Sequence, residues 1–378
     1  MPWNQVSAMT LRKEFVALTQ SNTVSISELS RRFGISRKTA YKWLNRAKQT
    51  DDNSFEDRSK RPSRSPKKTS DTIENLILST RLEFSEWGGR KLKRYLENEG
   101  HTHLPAPSTI TEILRRNDLL NTSCARKSER FIRFEHDNPN DLWQMDFKGP
   151  MRVRDNSCSA LTILDDHSRF SLGIKICRQQ TYADTKKALT DVFRRYGLPR
   201  RMTMDNGNPW GIANTTRNWT LFAVWLMDQG IYVSHSRPYH PQTQGKDERF
   251  HRSLSIEVLN KYDFKSANEL QERCEQWRWI YNEKRPHDAL NLEVPASRYR
   301  VSQRQYQEKI TPYEYSPGDI TRKIHSAGEL KYKGNIYFIG ASLYGKTVAL
   351  RDSEEDGVMH IFYRHQKIGQ LDLRRSDL

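Results

Sequence analysis

The feature that most constrains this chain is a change of period at Leu142. LWQMDFKG alternates apolar and polar residues and predicts a strand, and SALTILDDHSRFSLGIKIC predicts two more strands around a turn. TYADTKKALTDVFRRYG returns to helical spacing, RMTMDNG is a strand ending in a turn, WTLFAVWLMDQG a helix, and IYVSHS a strand. The stretch HPQTQGKDERFHRSL then starts another helix, so the order is β-β-β-α-β-α-β-α. A further helix over 268–284 repeats Leu270, Cys274, Trp277 and Tyr281 on one face.

Three meandering strands followed by alternating helices and strands is the order of an RNase H-like α/β layer fold, expected here over 141–300. The rest of the chain makes the protein multidomain. SISELSRRFGISRKTAYKWLNRAK places Leu29, Phe33, Ile35, Ala40, Trp43 and Leu44 at near-helical spacing, with Gly34 at a sharp turn and Ser36 able to cap the second helix. That predicts an α-helical helix-turn-helix domain over 1–49, whose second helix shows Arg37, Lys38, Tyr41 and Lys42 to a DNA major groove; a plain helical hairpin is the alternative. RSKRPSRSPKK has six bases and no acid, so 50–70 reads as a basic linker, with Lys60, Arg61, Arg64, Lys67 and Lys68 free to lie along DNA. A second helix-turn-helix follows over 71–120, with Ser108 as an N-cap and Arg115 and Arg116 near a helix end. Residues 121–140 form a linker, and the Gly- and Asp-punctuated β-rich run over 318–378 predicts a small antiparallel β-barrel.

Charge fits this layout. The formal net charge is +17, which points to a polyanionic partner, although a solvated basic surface is the plainer alternative. Mean hydropathy is −0.88 and no apolar run is long enough to span a bilayer, so a cytoplasmic protein without a membrane partner is expected. Cys124, Cys158, Cys177 and Cys274 lie far apart with no C-x-x-C pair, which leaves no disulfide framework or zinc knuckle to read.

Chemistry is expected from carboxylates. Asp146 sits mid-strand, sharing a face with Gln144 and Lys148, and Asp205 ends a later strand. In the helix that follows, Phe250, Leu254 and Val258 define the buried stripe; Glu248 lies off it and can reach the strand acids. Asp247 falls on the buried side, where it is expected to stabilise the first turn against the helix dipole. Three carboxylates converging from two strands and a helix can hold two Mg²⁺ ions about 3.5 to 4 Å apart for in-line phosphoryl displacement, and Mn²⁺ can substitute. Taken singly, each acid could merely cap or pair locally. Asp165 and Asp166 are expected to hold a hairpin turn. His240 is either a metal-side or phosphate contact or a loop residue, and Lys246, Arg249 and Arg252 are expected to line the DNA path.

With WQMDFKG, LDDHSRF, MDNGNPWG, HPQTQGKDERFHRSL and YNEKRPHDALNLEVP in consecutive order, the chain resembles bacterial insertion-sequence transposases with a retroviral-integrase-like catalytic core. The resemblance covers 142 to about 300. It puts the family's acid triad on Asp146, Asp205 and Glu248, and implies cleavage at element ends to free a 3′-hydroxyl that attacks a target phosphodiester. It also implies that the N-terminal units read terminal inverted repeats of double-stranded DNA, that a homodimer or higher homo-oligomer pairs two ends, and that the C-terminal module holds DNA or bridges protomers. Two departures stand out: the stretch between Asp205 and Glu248 is longer than in close integrase relatives, and Asp247 replaces what is more often a small or apolar residue. A metal-dependent nuclease that does not join, and a DNA-binding regulator, are the competing readings.

Overall fold

A computed structural model describes residues 7–48, 55–57, 68–120, 135–154, 156–205, 207, 210, 219–235 and 245–374. The chain divides into two units, Met1–Lys68 and Thr69–Leu378.

In the first unit, serine decides where each helix begins. Ser7, Ser25 and Ser36 accept from the backbone N–H of Thr10, Glu28 and Thr39, starting α1 (Ala8–Gln20), α2 (Ile26–Arg32) and α3 (Arg37–Ala47). Gly34 takes φ +63°, the left-handed turn between α2 and α3 that a side chain would resist. Phe15, Val16, Leu29 and Ala40 form the core. Trp43 is buried beneath the guanidinium groups of Arg12 and Arg46, 4.0 and 4.7 Å from its ring. The sequence reading, which started at Ser25, passed over α1; that helix completes the hydrophobic seat for α2 and α3.

The second unit opens with α4 (Asp71–Glu83), α5 (Gly89–Asn98) and α6 (Pro107–Arg116), packed around Ile77, Trp87, Leu92 and Ile110. A Cβ on Gly89 would stand 2.4 Å from the Pro107 carbonyl oxygen, so glycine permits the close crossing of α5 and α6. The N-cap of α6 is Ala106 and not Ser108. Pro107 at the first helical position overrides the serine, because its fixed φ starts the helix two residues before a Ser108 cap would.

The α/β layer follows in the expected order: β1 (Leu142–Val153), β2 (Asn156–Asp165), β3 (Ser171–Cys177), α7 (Tyr182–Tyr196), β4 (Arg201–Met204), α8 (Leu221–Asp228), β5 (Tyr232–His235) and α9 (Gly245–Leu254). The sheet runs β3-β2-β1-β4-β5, with β1 to β3 antiparallel and β4 and β5 parallel to β1. Strand alternation sends side chains into two separate cores. Trp143, Met145, Leu161 and Ile163 pack with Leu189 and Phe193 of α7 and Phe222 of α8. Ala160, Leu164 and Ile174 face Phe250 and Leu254 of α9 and Leu270, Cys274 and Trp277 of α10 (Ala267–Trp279). Beyond Trp279 the helix widens into a π-turn at Ile280–Lys284.

The C-terminal strands are β6 (Ile320–Lys323), β7 (Glu329–Tyr332), β8 (Asn335–Phe338), β9 (Thr347–Asp352), β10 (Val358–Tyr363) and β11 (Gln366–Asp372). They are antiparallel as expected but do not close into a barrel. Four run in the order β11-β10-β9-β6, and β7 pairs only with β8 as a separate hairpin. Closure is replaced by docking: Leu343, Val348, Ile361 and Ile368 join the same core as α7 and α8. The Gln366 side chain donates to the Val233 carbonyl and accepts from the Val233 N–H, each at 2.8 Å, and so caps edge strand β5. Among the described residues, no helix is long and apolar enough to cross a membrane.

Candidate active site

Asp146 lies on β1 opposite Thr162 of β2, in the middle of the sheet. Its Oδ1 accepts from the Phe147 N–H at 2.7 Å. Burial pushes its carboxyl up to about 6, and the Asp205 and Glu248 carboxylates add to the rise, against the pull of Phe147 N–H and Lys148. Asp146 therefore feels the charge of both other acids.

Asp205 immediately follows β4, and its carboxylate is pinned. Oδ1 accepts from the Gly207 N–H at 2.9 Å and from the Trp210 indole N–H. A Cβ at Gly207 would lie 3.0 Å from Asp205 Oδ2, so glycine lets the carboxylate fold back onto the backbone. The Trp210 ring is buried and stacks on Phe147, with centroids 4.9 Å apart and planes 6° apart. An aromatic pillar thus joins the residue beside Asp146 to the group that orients Asp205. Both Gly207 and Trp210 lie within the quoted MDNGNPWG motif, but their roles need the folded loop to become visible.

Glu248 stands exposed on the first turn of α9, one position from a very different neighbour. Asp247 is 3 % exposed, and burial, reinforced by Asp146 and Asp166, raises its carboxyl well above the usual range. Where the sequence predicts a dipole-stabilising carboxylate, the structure turns Asp247 onto the buried stripe, a setting that favours its protonated form. A carboxyl raised on folding binds its proton more tightly in the folded chain than in the unfolded one. Stability accordingly falls as pH rises from the ordinary carboxylate range toward the raised folded value. Asp247→Asn should flatten that slope and leave the protein at least as stable at pH 8; thermal unfolding at pH 5 and pH 8 checks this, and a steeper decline in the variant would contradict it.

The other sequence-predicted residues sort by environment. Asp165 holds the hairpin turn as expected, accepting from the N–H of Ser168 at 2.8 Å and of Asn140 at 2.7 Å. Asp166 is buried, accepts from Gln144 Nε2 at 2.9 Å and the His136 N–H at 3.0 Å, and pairs with Lys246. Lys246 therefore points inward to Asp166, where the sequence predicts that it lines a DNA path; removing it would leave the buried Asp166 carboxylate uncompensated. Arg249 and Arg252 are exposed on α9, and Arg37, Lys38, Tyr41 and Lys42 are exposed on α3. Lys68 is also exposed. Arg115 is paired with Glu112 and Arg116 with Glu74. Lys60, Arg61, Arg64, Lys67 and His240 lie outside the described residues.

Sequence reasoning missed His251. This residue is 7 % exposed on α9, with Nδ1 3.8 Å from Asp146 Oδ2 and Nε2 2.7 Å from Thr162 Oγ1. Burial and nearby Lys148 bring its imidazole down to about 4. Its place one turn beyond Asp247 put it on the buried stripe, but the stripe gave no sign of what it would meet.

An all-oxygen set of three acids, one of them half-buried and destabilised by the other two, has the chemistry to attract a divalent cation. Among the described residues, no three carboxylate, imidazole or thiol groups are drawn to common ligating distance. Asp205 is tethered to Gly207 and Trp210, and Glu248 is exposed on α9.

Residues 136–241 and 229–295 match models of the integrase core domain. Residues 319–377 match the C-terminal domain of IS481 family transposases, residues 11–63 a helix-turn-helix domain, and residues 39–114 a homeodomain-like domain. A candidate transposase of insertion sequence element IS5376 from Geobacillus stearothermophilus is 22% identical over 97% of this chain and 89% of its own length. The 39.2 kDa protein of insertion element IS476 from Xanthomonas euvesicatoria is 29% identical over 44% of this chain, and the match spans 46% of that relative. Among solved structures, the HTLV-2 integrase catalytic core domain in complex with magnesium is 15% identical, covering 43% of this chain and 99% of that one with a TM-score of 0.34.

Proposed function

We propose that this chain, an insertion-sequence transposase with an integrase-type core and N-terminal helix-turn-helix, cuts its element's ends and joins them to target DNA at Asp146, Asp205 and Glu248. The observation that carries the proposal is the placement of Asp146 on β1, Asp205 at the end of β4 and Glu248 on the first turn of α9, within the residues that match the integrase core models.

The reaction is two in-line displacements at phosphorus. Water first attacks the phosphodiester at the element end and breaks its bond to the 3′-oxygen, which leaves as a 3′-hydroxyl. That oxygen then forms a bond to a target phosphorus and displaces the target's own 3′-oxygen. Two Mg²⁺ or Mn²⁺ ions held by Asp146, Asp205 and Glu248 would polarise the attacking and leaving oxygens when bound. The chain supplies orientation: the sheet fixes Asp146, Gly207 and Trp210 fix Asp205, and α9 carries Glu248 at its exposed edge. The two helical units would read the terminal repeats, and a homodimer or higher oligomer would bring two ends together.

Joining of labelled element ends to a plasmid tests this reading. Joined product supports transposition, metal-dependent cutting alone favours a nuclease, and tight binding with neither activity favours a DNA-binding regulator. Recognition by α3 has its own test. Replacing Arg37 and Lys38 with alanine should weaken end binding and reduce the slope of log affinity against log salt by about 2, roughly one unit per lost phosphate contact. An unchanged slope and affinity would remove α3 from the interface.

A further inference from the structure

Helix α9 is joined to the catalytic strand through one buried side chain. Thr162 is 1 % exposed, and its hydroxyl donates to the backbone carbonyl oxygen of Asp146 at 3.1 Å. The same oxygen lies 2.7 Å from His251 Nε2, a hydrogen bond whose direction follows the imidazole tautomer. Thr162 Oγ1 thus links His251 of α9 to the main chain of Asp146. His251 Nδ1, 3.8 Å from Asp146 Oδ2, is too far for a hydrogen bond and does not share the task. From the other side, Ser255 Oγ donates to the His251 carbonyl at 2.8 Å, in the π-turn that continues α9.

We propose that His251 is a positioning residue, setting the register of α9, and with it Glu248, against strand β1 by its Nε2 hydrogen bond to the Thr162 hydroxyl beside Asp146's backbone carbonyl. The apolar stripe of Phe250 and Leu254 buries the helix, but apolar packing is non-directional and tolerates sliding and rotation. The hydrogen-bonded relay is directional. It ties helix to strand within one turn of Glu248. This inference rests on reading Asp146 and Glu248 as members of one site.

The variants that separate this role from simple packing differ in how far they extend a hydrogen-bonding group. Glutamine extends its amide nitrogen about as far as Nε2, whereas asparagine reaches only the Nδ1 position; both are polar and similar in volume. Thr162→Val removes the relay from its other end with little change in shape. End binding, Mn²⁺ binding by calorimetry, melting temperature and joining rate should be measured for His251→Gln, His251→Asn, Thr162→Val and the Thr162→Val/His251→Asn double variant. His251→Gln should keep most of the joining rate. His251→Asn and Thr162→Val should each lose on the order of tenfold to a hundredfold, the usual effect of a small misplacement of reacting groups. Both should bind Mn²⁺ more weakly with end binding unchanged, and the double variant should be no worse than either single one, since both break one relay. Asparagine matching glutamine in both readouts, or Thr162→Val behaving as wild type, would overturn the inference. Mn²⁺ binding does not depend on joining, so a wild type that binds the ion but fails to join would sink the strand-transfer reading while the glutamine–asparagine comparison still decides this one.

Discussion

Glu248→Gln should bind element ends like the wild type and yet lose both cleavage and joining, by about a thousandfold or more. Glu248 is exposed, so the amide costs the fold little. Its neighbours make the substitution specific. Burial first, and then the Asp205 and Glu248 carboxylates, raise the Asp146 carboxyl, so the amide at 248 removes a negative charge that Asp146 feels. Binding is separable because the exposed basic face of α3 belongs to the first unit, Met1–Lys68. Gel-shift and joining assays on the same preparation check both halves. Substantial joining by the variant would remove Glu248 from the site.

The second large effect is on stability. Lys246→Met should destabilise the protein by about 3 to 5 kcal/mol, the usual cost of stripping one partner from a buried ion pair. The Asp166 side chain is 2% exposed and that of Lys246 16%. Burial alone would raise the Asp166 carboxyl; the Lys246 ammonium and the His136 hydrogen bonds overcome it and hold the carboxyl below its ordinary value. Burial also lowers the Lys246 ammonium, so the pair favours its acid more than its base. A depressed carboxyl contributes stability above the ordinary carboxylate range and loses it as pH falls through the folded value. Chemical denaturation of Lys246→Met and of the Lys246→Met/Asp166→Asn pair is the measurement, and the second change should recover much of the loss. A stable Lys246→Met variant with weaker DNA binding and a shallower salt slope would return Lys246 to the DNA path.

These cases show which parts of the molecule could be read before folding. The order of strands and helices was legible because alternation and helical spacing are local, and Phe250, Leu254 and Val258 are buried as their spacing requires. The turn at Gly34 and the cap at Ser36 are local too. Lys246 was misread because its partner Asp166 is 80 residues away, and a lysine beside two acids in a polar stretch has the pattern of a solvated helix. His251 meets Thr162 across 89 residues, so no spacing rule could pair them. Closure of the C-terminal strands failed for a similar reason: the edge of the main sheet gives them another surface, and Gln366 reaches it 133 residues from Val233. The Ala106 cap is different, since Pro107 was in plain view and outweighs Ser108 as a helix start.

For the candidate site, Asp146, Asp205 and Glu248 are legible from strand and helix position alone. What holds them was hidden. Trp210 orients Asp205 while stacking on Phe147 of β1, a contact between residues far apart in the chain. The supporting groups depend on tertiary contacts, whereas the acids themselves depend on element order.

The central claim is that Asp146 works at a DNA-joining site, and strand transfer with Mg²⁺ or Mn²⁺ on DNA bearing the element's own ends tests it most directly. The account predicts joined product from the wild type and none from Asp146→Asn, with equal end binding by both. Joining by Asp146→Asn at a rate near wild type would contradict it.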